Sequence, residues 1–346
     1  MSKTIQQTMF EAVEEELKRQ VARLDQPRTK PFHEMLTYHM GWTGEGAGPN
    51  ATGKRIRPLM VLLTVASSLS NNDAIKGNNI NWLHAVSSAA SIELIHNFSL
   101  AHDDIQDNSE LRRGRKTLWV KWGSPMAINV GDALFVIANQ SILDLAKHYP
   151  AEIVVRAAGI LNNSCLELTQ GQYLDMSYEE RTDLAIDDYW PMIGGKTSSL
   201  LSACTHIGAV LGYANEERIE AFRQFGYHLG LAFQVQDDIL GIWGDESVTG
   251  KSAASDLVEG KNSLPVLYAL EKNGRFAERW RRGPIYQEEV GAVAALLEEE
   301  GGKAYAEKMS ETETQKALEF LDRAQPQGEA GRTMLELANK LLKRNQ

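Results

Sequence analysis

The chain has 346 residues, 43% of them hydrophobic, and a net charge of −10. That is enough apolar material for one large core or two modest domains, and the acidic balance argues against a general nucleic-acid binder. No apolar run reaches the length of a membrane span, and the start MSKTIQQTMFEAVEEELKRQ lacks a signal peptide's apolar region; a cytoplasmic chain with no membrane span is therefore expected.

Residues 5–24 read as an amphipathic helix, because Met9, Val13, Leu17 and Val21 recur every four residues. Residues 25–53 are rich in breakers, including GWTGEGAGPNATG, and read as a loop-rich approach. Gly53-Lys54-Arg55-Ile56-Arg57-Pro58 then opens an apolar helix, with Pro58 suited to its first turn. Lys54 and Arg57 precede that turn, where free backbone N–H groups favour an anion. Two ordinary surface cations are the competing reading.

After a polar turn at 71–79, a helix over 81–106 carries His96, Ser99, Asp103 and Asp107 along one face. Asp103 and Asp107 are one turn apart, so both carboxylates can reach one hard cation such as magnesium, which brings phosphate oxygens with it. Arg112, Arg113, Arg115 and Lys116 follow at once, and guanidinium groups grip phosphate in pairs of hydrogen bonds. A solvated helix end with a charged loop is the alternative. His96 taken alone is a structural hydrogen-bonding residue, and Glu93 reads as a polar contact between helices.

Helices are predicted over 126–147, with Gly131 and a structural Asp132, and over 151–175, where Gln172 and Asp175 form a polar stripe. Cys165 and Cys204 lie in helical runs without metal or redox spacing and read as buried thiols. The next helix starts at Asp187 or Asp188. Gly194-Gly195 should kink it before Lys196-Thr197, making either a diphosphate clasp or a close helix contact. The helix over 215–241 delivers Asp237 and Asp238, with Gln234 one turn before Asp238. A loop holding Lys251, Asp256 and Lys261 is read as closing over substrate. Asn262-Ser263 caps a helix with Pro265 in its first turn. Residues 271–346 read as Glu-rich helices without a motif. With no strand pattern of useful length and no domain boundary, the fold class is all-α, one bundle over 1–346.

DDIQD followed by RRG, and FQVQDD with a lysine further on, resemble the trans-isoprenyl diphosphate synthases over about residues 53–270. The resemblance implies a large antiparallel helical bundle with a central cavity and a homodimer. It implies magnesium on Asp103, Asp107 and Asp237. Isopentenyl diphosphate would be held by Lys54, Arg57, His96 and Arg113. Arg112, Lys196 and Lys251 would assist at the allylic diphosphate, which would ionise to an allylic carbocation, and Thr197, Gln234 and Lys261 would be further substrate-binding residues. Two departures stand out. Thr52 replaces the first glycine of the family's GGKRxRP, and Gly241 replaces the last carboxylate of its second DDxxD, with Asp245 a candidate stand-in.

Phe98, five residues before Asp103, lies about 7 Å back along the helix, while Ser99 is small. An aromatic at that position before an uninserted DDxxD resembles geranylgeranyl diphosphate synthases; farnesyl diphosphate is the second choice of product. Phe98 as plain core packing is the bland alternative. A class I terpene cyclase would not need the Lys54/Arg57 set, and a non-catalytic subunit of a heteromeric synthase tends to lose the first motif.

Overall fold

The computed structural model describes residues 3–69, 81–179, 181–244 and 254–342. Regular structure among them is helical except for one antiparallel hairpin, β1 (Leu111–Arg112) with β2 (Arg115–Lys116). The all-α expectation holds. Two compact units can be distinguished: Met1–Asn162 with Cys204–Ile219 and Pro326–Met334, and Asn163–Ala203 with Glu220–Gln325 and Leu335–Gln346.

In the first unit, α1 (Ile5–Val21) begins with a capping box, in which Thr4 accepts from the Gln7 N–H and the Gln7 side chain from the Thr4 N–H. Its predicted face is the one buried: Met9, Val13, Leu17 and Val21 are fully enclosed. The stretch read as a loop-rich approach contains a helix, α2 (Lys30–His39), with proline in its first turn, and a short one, α3 (Pro49–Thr52). Ten residues flanked by breakers are too few for a long periodic pattern to show. α4 (Ile56–Leu69) buries every residue from Pro58 to Val65.

α5 (Val86–Gln106) and α7 (Ser124–Leu143), with α6 (Leu118–Trp122) between them in the chain, make the best-defined pair. Ser141 Oγ donates to Ser87 O at 2.7 Å, Ser91 Oγ to Ala138 O at 2.8 Å, and His102 Nε2 lies 3.1 Å from Ile128 O. Partners fall along α7 as they rise along α5, so the two run antiparallel. Close approach requires Gly131, where a Cβ would collide with the His102 ring. The sequence reading that no run is long enough for a membrane needs correction: Ser124–Lys147, 24 residues, meets that length and composition. Here Ala127, Val130, Leu134, Ile137, Ala138 and Ile142 are buried, while Met126, Ile128, Val136 and Leu143 are exposed.

The second unit holds the end of α8 (Ala151–Tyr178), α9 (Ile186–Ile193) and the start of α10 (Ser199–Leu211), with most of α11 (Glu216–Trp243) and the helices that follow. The kink expected at Gly194-Gly195 is a single π-helical turn, Gly194–Ser198. A Cβ on Gly171 would strike the Lys196 backbone, and one on Gly195 would lie 2.6 Å from Glu167 O, so these glycines serve close helix packing. The helix Leu264–Lys272 starts at Ser263 as predicted, but the Ser263 side chain makes no capping bond. Asp238 takes that role from α11, its Oδ2 accepting the Leu264 N–H at 3.0 Å.

Arg55, 2% exposed, is buried in the first unit between Glu14 (2.6 Å) and the 3% exposed Glu93 (2.7 Å). Removing one member of such a group strands the others in a medium of low dielectric. Arg55→Ala should destabilise the chain by about 3–5 kcal/mol in chemical denaturation; a loss below about 1 kcal/mol would contradict this account of the pair.

Candidate active site

The acidic end of α5 and the hairpin after it form the first set. Asp107 is the C-cap of α5, its N–H donating to Asp103 O at 2.8 Å, which sets the two carboxylates one turn apart. Asp103 is half-buried and Asp107 exposed. Asp104, between them, turns into the protein at 1% exposure and takes Arg112 Nε at 2.7 Å. Burial pushes its carboxyl up to about 6 against the pull of Arg112.

The basic run therefore divides into roles that its composition does not reveal. Arg112 anchors on Asp104. Arg115 is committed to carbonyls of the segment before α3, donating to Tyr38 O, Thr43 O and Glu45 O at 2.7–2.9 Å. Arg113, at φ 52°, donates to Ala51 O at 2.8 Å and lies flat over Gly53, where a Cβ would approach its guanidinium to 2.7 Å. Gly53 itself is at φ +80°, so both the turn and the stacking demand glycine. Thr52 in place of the family's first glycine is accommodated, its hydroxyl donating to Pro49 O at 3.1 Å.

Lys54 is exposed at this turn, and Arg57 Nη1 stands 3.3 Å from His96 Nε2. Arginine can only donate, so Nε2 accepts and the ring is neutral. Burial first, then the positive field of Arg57, Arg113 and Arg112, pushes the His96 imidazole well below its ordinary range. Arg55, which lies inside the same GKRIRP motif, is structural; only its position between two cations could have hidden that from a sequence reading. Glu93 is the contact expected of it, taking Arg55 and Asn97.

Phe98 is half-buried, its ring 5.1 Å from His102 and 5.2 Å from Phe135 of α7. Phe135 went unnoticed in the sequence, since nothing local marks it. Ser99 Oγ donates to His96 O at 2.9 Å, leaving Ser99 on the turn between the imidazole and Asp103. Asp132 is exposed, 3.8 Å from His102, and takes no part in this set.

The second set lies in the other unit. Thr197 Oγ1 donates to Gln234 Oε1 at 2.7 Å, Gln234 Nε2 to Asp238 Oδ1 at 3.0 Å, and Tyr189 Oη to Asp238 Oδ2 at 2.7 Å. This chain ties the π turn to α11 and occupies Gln234, which the sequence reading had placed on substrate. Asp238 is buried and pushed up to about 7, chiefly by burial. Its neighbour Asp237 is half-buried on the next face of α11. Lys196 forms a short ion pair with Asp175 of α8. Lys261 reaches Asp256 at 3.2 Å and Glu259 at 2.7 Å. Lys251 and Asp245 lie outside the described residues.

The candidate metal donors, Asp103, Asp107 and Asp237, are all carboxylates, with no thiol or imidazole among them, which suits a hard cation such as magnesium. Among the described residues no three or more acidic, histidine or cysteine side chains converge to hold a metal unaided.

Residues 48–298 match the polyprenyl synthetase family. Over 301 residues the chain is 37% identical to a farnesyl diphosphate synthase of Mycobacterium bovis, covering 84% of this chain and 79% of that one. It is 36% identical to a geranylgeranyl diphosphate synthase of Mycobacterium tuberculosis, over 84% and 82% of the two chains. Among solved structures it is similar to a polyprenyl synthetase from Streptomyces coelicolor, with a TM-score of 0.84 and 35% identity over 97% and 98% of the two chains. The chain therefore belongs to the polyprenyl synthetase family of prenyltransferase enzymes.

Proposed function

We propose that this enzyme joins isopentenyl diphosphate to an allylic diphosphate, with geranylgeranyl diphosphate as the product. The observation that carries the reading is the cationic group around the first turn of α4. Lys54, Arg57, neutral His96 and Arg113 are gathered there, apart from the carboxylates of Asp103 and Asp107. A prenyl condensation handles two diphosphates, and a second cationic set has no use in an enzyme that takes only one. This favours condensation over terpene cyclisation.

In the proposed reaction the allylic C–O bond breaks and its electron pair leaves with diphosphate. The isopentenyl double bond then attacks the allylic cation, and a proton is lost to the departing diphosphate. Magnesium, when bound, offsets the diphosphate's charge and makes it a better leaving group. Asp103, Asp107 and Asp237 would hold it. Lys196, Arg112, Lys251 and Lys261 are assigned to the allylic side, and Thr197 and Gln234 position the turn that carries Lys196. Lys54, Arg57, His96 and Arg113 bind isopentenyl diphosphate. A neutral His96 can donate from one ring nitrogen or gain a proton when an anion arrives. Charge stabilisation in a water-poor site carries the barrier reduction, with no nucleophilic side chain required.

Product length is assigned to Phe98, with the Phe135 ring tilted against it at 5.2 Å. Phe135 also favours a second reading, farnesyl diphosphate, because two rings block a channel sooner than one. A homodimer in the cytoplasm completes the proposal; the exposed apolar side chains of Met126, Ile128, Val136 and Leu143 along α7 support the dimer.

Asp103→Asn and Asp107→Asn should each lower kcat/KM more than tenfold, about 1.4 kcal/mol or more, with helical circular dichroism unchanged; a near-normal rate in either variant would overturn the metal assignment. Lys54→Ala and Arg57→Ala should raise KM chiefly for isopentenyl diphosphate, whereas Lys196→Ala should act on the allylic substrate. Equal effects of all three on both constants would contradict two separate cationic sets. Phe98→Ala should lengthen the product by at least one isoprene unit, at a stability cost of roughly 3–5 kcal/mol if the site cannot relax. Chromatography of the dephosphorylated alcohols reads this out, and an unchanged length from a folded, active variant would remove Phe98 from the role.

A further inference from the structure

We propose that Tyr38 is a positioning residue for both diphosphates, because it holds the hairpin that presents Arg112 to the allylic side and Arg113 to the isopentenyl side. The inference rests on the proposed condensation and adds to it a residue that lies outside every motif of the sequence. The hairpin needs such a hold. β1 and β2 pair over two residues each, with Arg112 opposite Arg115, and a two-stranded hairpin is marginally stable by itself in water. Its turn, Arg113-Gly114, runs at φ 52° and 74°, which puts Arg113 at the tip. Thr117 and Trp119 close the base by donating to carbonyls of Ser109 and Glu110. Those bonds stay within the hairpin's own stretch of chain.

Tyr38, near the end of α2, supplies the outside hold. Its residue is 7% exposed, and its ring carries two cations: the Arg115 guanidinium carbon lies 4.0 Å from the ring centroid, and Lys121 Nζ lies 4.0 Å from it as well. The electron-rich face of an aromatic ring attracts a cation, more strongly where water is kept away. Trp122 meets the same ring edge-on at 5.1 Å. Tyr38 Oη donates to Lys116 O at 2.8 Å, and Arg115 Nη1 donates to the Tyr38 carbonyl at 2.8 Å. Both residues of β2 are thus tied to one tyrosine, through its ring, its hydroxyl and its main chain. Gly44, at φ +83°, leaves room for the arrangement, since a Cβ there would lie 2.7 Å from Tyr38 Cδ2. β1 is held separately, by Arg112 on Asp104 of α5. With one strand pinned to α2 and the other to α5, the tip that carries Arg113 has little freedom to tilt.

This hold gives a kinetic signature that differs from those of the two cationic sets. Lys54 and Arg57 are assigned to one substrate and Lys196 to the other, whereas a tilting hairpin moves Arg112 and Arg113 together. A misplacement of about 1 Å can cost on the order of 100-fold in rate. Steady-state kinetics on the full chain, with each substrate varied in turn, read the signature out. Tyr38→Leu removes the ring and the hydroxyl, and should lower kcat/KM by about tenfold for isopentenyl diphosphate and for the allylic diphosphate alike. Tyr38→Phe keeps the ring and loses one hydrogen bond, so both values should stay within about threefold of wild type. A second readout needs no turnover: thermal stabilisation by inorganic diphosphate with magnesium present. Tyr38→Leu should raise the diphosphate needed for half-maximal stabilisation by about fivefold or more.

A folded Tyr38→Leu chain with wild-type kcat/KM for both substrates overturns the proposal, whatever its melting temperature, because a residue that only packs would lower stability and leave the kinetics alone. A loss confined to one substrate overturns it too. If Tyr38→Leu does not fold, Arg115→Lys decides the matter, with circular dichroism as the control. It keeps a cation at the ring but lacks the fork that reaches three carbonyls, so it should show the same loss for both substrates, and no loss or a one-sided loss contradicts the proposal. A wild type that binds diphosphate but forms no prenyl product would count against the condensation reading, and the diphosphate titration of Tyr38→Leu then decides this inference by itself.

Discussion

A guanidinium buried between two carboxylates sets the first unit in place. Arg55 links α1 through Glu14 and α5 through Glu93, and it directly follows Lys54 and lies two residues before Arg57. Burial disfavours its charge, yet the two carboxylates more than offset this and hold it more firmly charged than usual. Because a buried charge tolerates little displacement from its partners, the start of α4 is held against α5. The turn that offers Lys54 and Arg57 is therefore fixed relative to His96, Asp103 and Asp107. Gly53 and Arg113 add a second constraint, since only a residue without a Cβ leaves room for the guanidinium above it.

The same economy of charge recurs throughout. Asp104 and Asp238 are the inward members of their aspartate pairs, and both are held by donors, Arg112 for one and Tyr189, Gln234 and the Leu264 N–H for the other. Their neighbours Asp103 and Asp237 are the less buried ones. In a DD pair on a helix, successive side chains point about 100° apart, so one carboxylate serves the fold while the other is left to the proposed metal. Both carboxyls of the inward members are pushed up by burial, which a metal ligand at neutral pH would not require.

Much of this was legible in the sequence. The apolar spacing of Met9, Val13, Leu17 and Val21 gave the buried face of α1, and the one-turn interval of Asp103 and Asp107 gave their common side. What escaped was set by contacts distant in the chain. Nothing in RRGRK says that Arg115 will be consumed by the carbonyls of Tyr38, Thr43 and Glu45, or that Gln234 will bridge Thr197 and Asp238. The helix Lys30–His39 was missed because it is short and lies between Pro27 and Gly41. Phe135 came to light only once α7 lay antiparallel to α5. Gly241 was visible as a missing carboxylate, but not that the Asp256 side chain would pack against it.

The central claim is that two diphosphates are handled by separate cationic sets and joined through an allylic cation. Incubation of the purified chain with magnesium, isopentenyl diphosphate and each allylic diphosphate in turn, followed by sizing of the products, tests it most directly. Chain-extended diphosphates ending at geranylgeranyl diphosphate, formed only when both substrates are present, are the predicted result. A cyclised hydrocarbon made from an allylic diphosphate alone, or no product from any pair, would contradict it.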